Sequence, residues 1–316
     1  MGADVARFLA RNRWVWSALG VLVLWAALSL LTERVSLHAL SGVAASAAFL
    51  LIAALGQMLV VTTGRGNIDL SIPSVITLSA YLTVITSGGL DVNLPAALLA
   101  VAALGLGTGL VNAALVIVFR IPAIIATLAT GYMLATLTLL ANRQVKTGRT
   151  AETLIYLAAG RLGGVPVVAL IALALTIALA LVLSRLAYGR HLSATGQSWT
   201  AAGLAGARVG ATITVAFAAS GVLAALAGML LSAYSGGAFL EMGSPYLLQT
   251  VGAVVLGGTL IAGGSATAAG TLFGAVLLVL IIVTMQIGRL PPGSQDIVQG
   301  LVIILVLAIA GPGRRS

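Results

Sequence analysis

The chain has 316 residues, of which 60% are hydrophobic and 7% are charged. A soluble domain carries about 25% charged residues, so the composition excludes a water-facing globule and implies a surface that mostly meets lipid. The net charge of +9 is scattered among apolar runs rather than gathered in a patch, which excludes a nucleic-acid face.

A membrane helix needs roughly 20 apolar residues. Ten runs meet or approach that length: 14–31, 39–62, 70–87, 94–118, 122–141, 165–186, 209–233, 246–262, 266–288 and 295–311. The reading is an all-α fold, a polytopic transmembrane helical bundle of about ten spans. The first run follows Arg7, Arg11 and Arg13, as in a signal peptide. It is longer than a usual h-region and leads into Thr32, Glu33 and Arg34 rather than a small-residue cleavage site, so it reads as a retained span. Residues 1–13 and 312–316 are expected as tails around a transmembrane domain over 14–311. Two junctions are short: the one before 70–87, and the Ala262-Gly263-Gly264-Ser265 link between 246–262 and 266–288. Small residues four apart, Gly105/Gly109 and Gly270/Gly274, suit close helix packing.

Ten spans put both termini on one side. That side holds ten basic residues (Arg7, Arg11, Arg13, Arg65, Arg120, Arg185, Arg190, Arg208, Arg314, Arg315) against six on the other (Arg34, Arg143, Lys146, Arg149, Arg161, Arg289). The positive-inside rule then places both termini in the cytoplasm. Loop 142–164 is basic although it falls outside, either as a plain solvated loop or as a docking surface for an acidic partner. The inner loop 187–208 has an Ala-rich second half that reads as a short surface helix capped by Ser198. It is either an ordinary linker or an element that passes motion between a cytoplasmic partner and the membrane part.

Several chemistries are absent. The only lysine, Lys146, follows Val145, so no G-x-x-x-x-G-K-[ST] phosphate loop exists, and any ATP must be bound by another subunit. There are no paired carboxylates, no H-E-x-x-H and no G-x-S-x-G, so no catalytic residue is assigned and the chain reads as a non-enzyme. Cysteine is absent and the histidines are two, His38 and His191, so neither a metal site nor a cofactor is assigned. Most acids fall in outer loops or at span ends, which weakens an ion-coupled carrier without removing it as an alternative.

The segment Gly64–Ser71 breaks one helix and starts another, with Asp69 and Ser71 as caps. It reads either as a capped turn or as a broken helix whose exposed ends bind polar solutes. Amides and hydroxyls within the spans suit a neutral polyol, because they donate and accept without a buried charge. With the break itself, the candidate path residues are Gln57, Asp69, Ser71, Asn112, Thr127, Thr130 and Gln249, with Thr136 and Gln286 as further mid-span polar groups. Each could equally serve as an interhelical hydrogen bond.

Five segments in register resemble one family. Gln57 with Thr62-Thr63-Gly64 and Ile68-Asp69-Leu70-Ser71 resembles the T-G-G-I-D-L-S segment of ribose-type permeases, the membrane subunits of ATP-binding cassette sugar importers. Thr127-Leu128 is similar to their T-L-G-T segment. Tyr188-Gly189-Arg190, Ala194, Gly196, Ala201 and Gly206 are similar to their cytoplasmic loop. Ala253–Thr259 with Gly263-Gly264-Ser265 and Gly270-Thr271-Leu272, and Gln299-Gly300-Leu301-Val302-Ile303, resemble the remaining two. The resemblance implies a multi-pass protein of the bacterial inner membrane, a cytoplasmic ATP-binding cassette subunit, a periplasmic sugar-binding protein, and a second permease, identical or sister. It implies that residues 190–206 couple to the ATPase, and Gly189, Arg190, Ala194, Gly196, Gln197, Ala201, Ala202 and Gly206 are the residues assigned to that segment. The cargo it implies is a monosaccharide or polyol, with branched-chain amino acids or nucleosides as the related alternative. The chain departs from the pattern at Gly64-Arg65-Gly66-Asn67, at Pro73, and at Ser198, Trp199 and Gly203, where the family often carries charged or amide side chains.

Overall fold

A peptide group surrounded by lipid has no water to bond, so apolar chain entering a bilayer coils into helix. The computed structural model describes residues 14–31, 37–145 and 150–310 and follows that rule. The expected tails, Arg34, Lys146 and Arg149 lie outside the described residues. The helices are α1 (Trp14–Leu31), α2 (Leu37–Thr62), α3 (Ile72–Ser87), α4 (Leu94–Ile117), α5 (Ala123–Asn142), α6 (Glu152–Ala159), α7 (Val167–Arg185), α8 (Ala187–Gln197), α9 (Trp199–Leu204), α10 (Val209–Tyr234), α11 (Tyr246–Leu256), α12 (Ala268–Ile287) and α13 (Pro292–Ala310). Among the described residues six helices, α2, α4, α5, α7, α10 and α12, are long and apolar enough to cross a membrane; α1, α3 and α11 are apolar and shorter. The chain is a polytopic helical membrane protein.

The eighth run departs from expectation. The apolar composition of 246–262 suggests one span, but α11 stops at Leu256, and Gly258 at φ 84° turns the chain. Its 11 residues reach about half of a ~30 Å hydrocarbon core at about 1.5 Å each. Irregular backbone precedes the helix. There the Gly243 N–H donates to Thr77 Oγ1 at 3.0 Å, which holds loop 235–245 against the first turns of α3. Within a membrane protein, irregular backbone is tolerated where it packs on protein rather than facing lipid. The span expected from residue 70 begins instead at Ile72, because 63–71 is fully unwound. Loop 142–164 carries α6 and a two-residue hairpin, in which Leu162 pairs with Val165.

The core is built around α10, which packs most extensively on α4, α2 and α3. Of the most apolar stretch of α2, 89% is buried, against 17% in α7, so α2 is axial and α7 peripheral. Glycines let α4 and α10 approach to backbone contact. A Cβ on Gly105 would lie 2.4 Å from the Gly221 carbonyl oxygen, and one on Gly109 would lie 2.3 Å from that of Phe217. Gly257, Gly270 and Gly274 serve α11 and α12 in the same way. On the periphery α1 lies on α12, with Trp14 stacked on Phe273 at 5.6 Å and the Ser17 hydroxyl bonded to the Leu256 carbonyl.

The connections sort to two ends. At one, Asp91 accepts from the Thr153 N–H at 3.0 Å and its hydroxyl at 2.8 Å, joining the α3–α4 link to α6. At the other, loops 63–71, 118–122, 187–208 and 257–267 meet.

The α4–α10 contact predicts a contrast between neighbours. Gly105→Val should lower stability by about 1–3 kcal/mol through overpacking. Gly107, whose Cβ would meet nothing within 4 Å, should accept Ala with no loss. Thermal unfolding of the detergent-purified protein checks both.

Candidate functional site

The unwound segment between α2 and α3 has a demand to meet. Its peptide N–H groups have left the helix ladder inside a packed core, where an unsatisfied donor is costly. At its end next to α3, side chains of neighbouring helices and of the segment itself answer three of them. The Asp69 N–H donates to Gln57 Oε1 of α2 at 3.1 Å, and the Leu70 N–H donates to Thr127 Oγ1 of α5 at 2.9 Å. The Ser71 N–H donates to Asp69 Oδ1 at 3.0 Å. Thus Asp69 supports the start of α3 as expected, whereas the Ser71 hydroxyl makes no cap bond and turns to Asp69 Oδ1 instead, at 2.5 Å.

That hydroxyl in turn accepts from Asn112 Nδ2 of α4 at 2.9 Å, and the Ser220 hydroxyl of α10 donates to Asp69 Oδ2 at 2.7 Å. One buried cluster therefore ties α2, α3, α4, α5 and α10 together. Gln57, Asn112, Thr127 and Ser220 are fully buried, and Asp69 is 2% exposed. Asp69 is thus an interior acid, not a residue at an exposed span end. Its partners are the Ser71 N–H and the hydroxyls of Ser71 and Ser220. Two atoms of the cluster, Gln57 Nε2 and Asn112 Oδ1, have no hydrogen-bond partner among the described residues.

Of the residues expected along a path, Gln57, Asp69, Ser71, Asn112 and Thr127 come together here. Thr130 lies one turn on from Thr127 and bonds its own helix at the Ala126 carbonyl. Gln249 is half-buried on α11, outside the cluster; Thr136 and Gln286 are exposed. Sequence reasoning missed Ser220. Its only signal is a hydroxyl among small residues in Ala218-Ala219-Ser220-Gly221, where a Cβ on Gly56 of α2 would lie 2.7 Å from the Ser220 Cα.

A second feature adjoins the first. The main chains of three loops converge on Gly196, at the end of α8. A Cβ there would lie 2.0 Å from the Thr62 carbonyl oxygen and 2.2 Å from the Gly264 nitrogen, and one on Gly263 would lie 2.3 Å from the Gly64 Cα. Gly64, Gly263 and Gly264 all take left-handed φ, near 80–89°, which only glycine adopts freely. The contact is closed by hydrogen bonds: Gly264 N–H to the Thr62 carbonyl at 3.0 Å, and Trp199 Nε1 to the Thr63 carbonyl at 2.8 Å. The 187–208 loop therefore rests on the last turn of α2, one short loop away from Asp69.

The loop forms two helices, α8 and α9, where one was expected in its second half. Ser198 caps the second, its Oγ accepting from the Ala201 N–H at 3.2 Å. The assigned residues divide by face. Gly189, Gly196 and Ala202 turn into the bundle; Arg190, Ala194, Gln197, Ala201 and Gly206 are exposed. Leu204 projects furthest, at 87% exposure. Tyr188 is lodged against the bundle, and its burial pushes the phenol pKa up, so it stays neutral.

A family model for "Branched-chain amino acid transport system / permease component" matches residues 39–307, which takes in both features and nearly every helix. The chain belongs to this permease family. Curated relatives include the Autoinducer 2 import system permease protein LsrC of Shigella flexneri, 33% identical over 308 residues, covering 96% of this chain and 89% of that protein. The LsrC protein of Photorhabdus luminescens is 30% identical over 306 residues, with 96% and 92% covered. That of Yersinia enterocolitica is 33% identical over 307 residues, with 96% and 84% covered. No solved structure matches the chain. The motif resemblance to importer permeases is met by this membership. The permease is a multi-pass membrane subunit, and the matched relatives are permease components rather than catalysts.

Ser220→Ala should cost the folded permease about 1–3 kcal/mol, because the buried Asp69 Oδ2 loses its donor. Ser220→Thr, which keeps the hydroxyl, should recover part of that loss. Thermal unfolding in detergent distinguishes the two.

Proposed function

We propose that the permease is the transmembrane subunit of an ATP-binding cassette importer in the inner (plasma) membrane. Its cargo is a small neutral polyhydroxylated solute, a monosaccharide, a polyol or a sugar-like signal such as autoinducer 2, handed over by a periplasmic binding protein. A separate cytoplasmic subunit binds and hydrolyses ATP, since the chain has no phosphate loop. A second permease subunit, identical or sister, completes the membrane part, with lipid around it.

The observation that carries the reading is the junction at Gly196. It gives a surface-exposed helical segment backbone-to-backbone contact with the broken helix that holds the buried polar cluster. A displacement of α8 and α9 by a cytoplasmic ATPase has no slack to absorb it before residues 62–64 and 263–264 move. The exposed face of Arg190, Ala194, Gln197, Ala201, Leu204 and Gly206 is the part that meets the ATPase. The neutral amides and hydroxyls around Asp69 suit uncharged cargo once the cluster opens.

The chain passes the membrane ten times, with residues 235–256 making one pass as irregular backbone plus α11, and with both termini in the cytoplasm. Support comes from the two ends of the bundle. Arg65, Arg120, Arg190 and Arg208 belong to loops at the Gly196 end, which fits the positive-inside rule.

Reconstituted with its cognate ATPase and binding protein, the permease should take up labelled ribose or autoinducer 2 only with hydrolysable ATP. Uptake that survives inactivation of the ATPase would point instead to an ion-coupled carrier. Leu204→Asp should leave thermal stability unchanged, because the side chain is 87% exposed, and should abolish ATP-driven uptake.

The chain contains no cysteine, so single introduced cysteines report topology directly. Ala205→Cys should react with an impermeant maleimide only in opened spheroplasts, and Leu162→Cys should react in intact ones. The reverse pattern inverts the topology.

A further inference from the structure

At the Gly196 end a cleft of about 530 Å³ opens between loop 63–71, the α4–α5 turn and the start of α10. Two arginines, Arg65 and Arg120, are exposed on it. Arg65 lies over the Trp199 ring at 4.1 Å, and neither guanidinium is paired with a carboxylate among the described residues. Both residues have φ of 57°, a left-handed conformation that favours glycine. An arginine kept at each such corner places a cation at the cleft. Most of the remaining lining is apolar, with Val116, Ile117, Ile121, Ile124 and Ile213 on it, beside Asn67 and the main chain of Gly66 and Gly210. The apolar surface continues outward through Phe119, 68% exposed, and Ile125, 60% exposed, along α5.

Two cations above an aliphatic floor that runs onto a membrane helix complement an anionic amphiphile. We propose that the cleft binds one anionic phospholipid of the inner leaflet, with the phosphate between Arg65 and Arg120 and the acyl chains along Ile121, Ile124 and the outer face of α5. A water-borne anion has no use for the aliphatic lining, and a soluble partner has none for its continuation along α5. The leaflet rests on the topology proposed above; the site does not. Because Arg65 stacks on Trp199, and Trp199 bonds the Thr63 carbonyl, the bound headgroup abuts the link between the 187–208 segment and the broken helix. Its occupancy would steady the resting position of that segment.

Trp199 is the natural reporter, one of four tryptophans. With Trp14, Trp16 and Trp25 replaced by Phe, the purified permease is placed in phosphatidylcholine vesicles. A minor, equal share of either brominated phosphatidylglycerol or brominated phosphatidylcholine is included. Bromine on phosphatidylglycerol should quench Trp199 more strongly. One basic residue near a membrane surface enriches an anionic lipid about fivefold, so Arg120→Gln should reduce the preference by about that factor. Arg120→Lys should retain it, as should Arg185→Gln, an exposed control outside the cleft. Equal quenching by the two lipids, or an unchanged preference in Arg120→Gln, overturns the proposal. So does loss of the preference on adding millimolar inorganic phosphate, which would make the ligand a water-borne anion. Both leaflets carry the probe lipid, so the outcome is independent of orientation, which the cysteine labelling tests by itself.

Discussion

Three consecutive peptide N–H groups, those of Asp69, Leu70 and Ser71, leave the helix ladder inside a core that holds no bulk water. Each needs an acceptor, and each finds one on a side chain: Gln57, Thr127 and Asp69. Most of the polar architecture follows from that need. Asp69, once buried, must have its own oxygens satisfied, which recruits Ser71 and Ser220; Ser71 then accepts from Asn112. An unwound connection of a few residues between two helices thereby helps fix the positions of five. A chain in lipid gains little from apolar contact between helices, since the tails are equally apolar. Close packing at glycine and buried hydrogen bonds supply the specificity, as between α4 and α10 and around Asp69.

The same connection meets the 187–208 segment at a contact without slack. Helices transmit displacement along their axes, whereas loops absorb it unless something locks them. At Gly196 the lock is steric, because main chain meets main chain on both sides with no side chain to yield. Gly64, Gly263 and Gly264 are shaped to that contact by left-handed backbone. Three sequence-distant glycine motifs are therefore one object. The 187–208 segment is therefore held against the α2–α3 connection, with the aromatic and cationic side chains of Trp199 and Arg65 beside it.

Hydrophobic runs gave the location of every long helix, because twenty apolar residues have few other fates in a bilayer. Their ends were less legible. The run 246–262 stays apolar past Gly257 and Gly258, and composition cannot tell a helix from irregular backbone that is covered by neighbours. The helical character of α8 was hidden for the opposite reason: its polar, Gly-containing sequence has little intrinsic propensity, and it forms where α7 and α2 support it. Ser220 was invisible because one serine in an Ala-rich span has no pattern. Only the crossing of α10 over the break gives it a partner.

By itself the sequence determined the solvent of this protein, its helical class, the absence of a phosphate-loop motif and its importer-permease motifs, since each of these follows from which residues are present and in what order. Tertiary structure alone decided which polar residues meet. Gln57, Asp69, Asn112, Thr127 and Ser220 lie up to 151 residues apart in bonded pairs, and helix spacing carries no information about contacts between helices. It also decided that Gly64, Gly196 and Gly263 share one point in space, because that depends on how closely backbones approach, a quantity set by packing and not by periodicity.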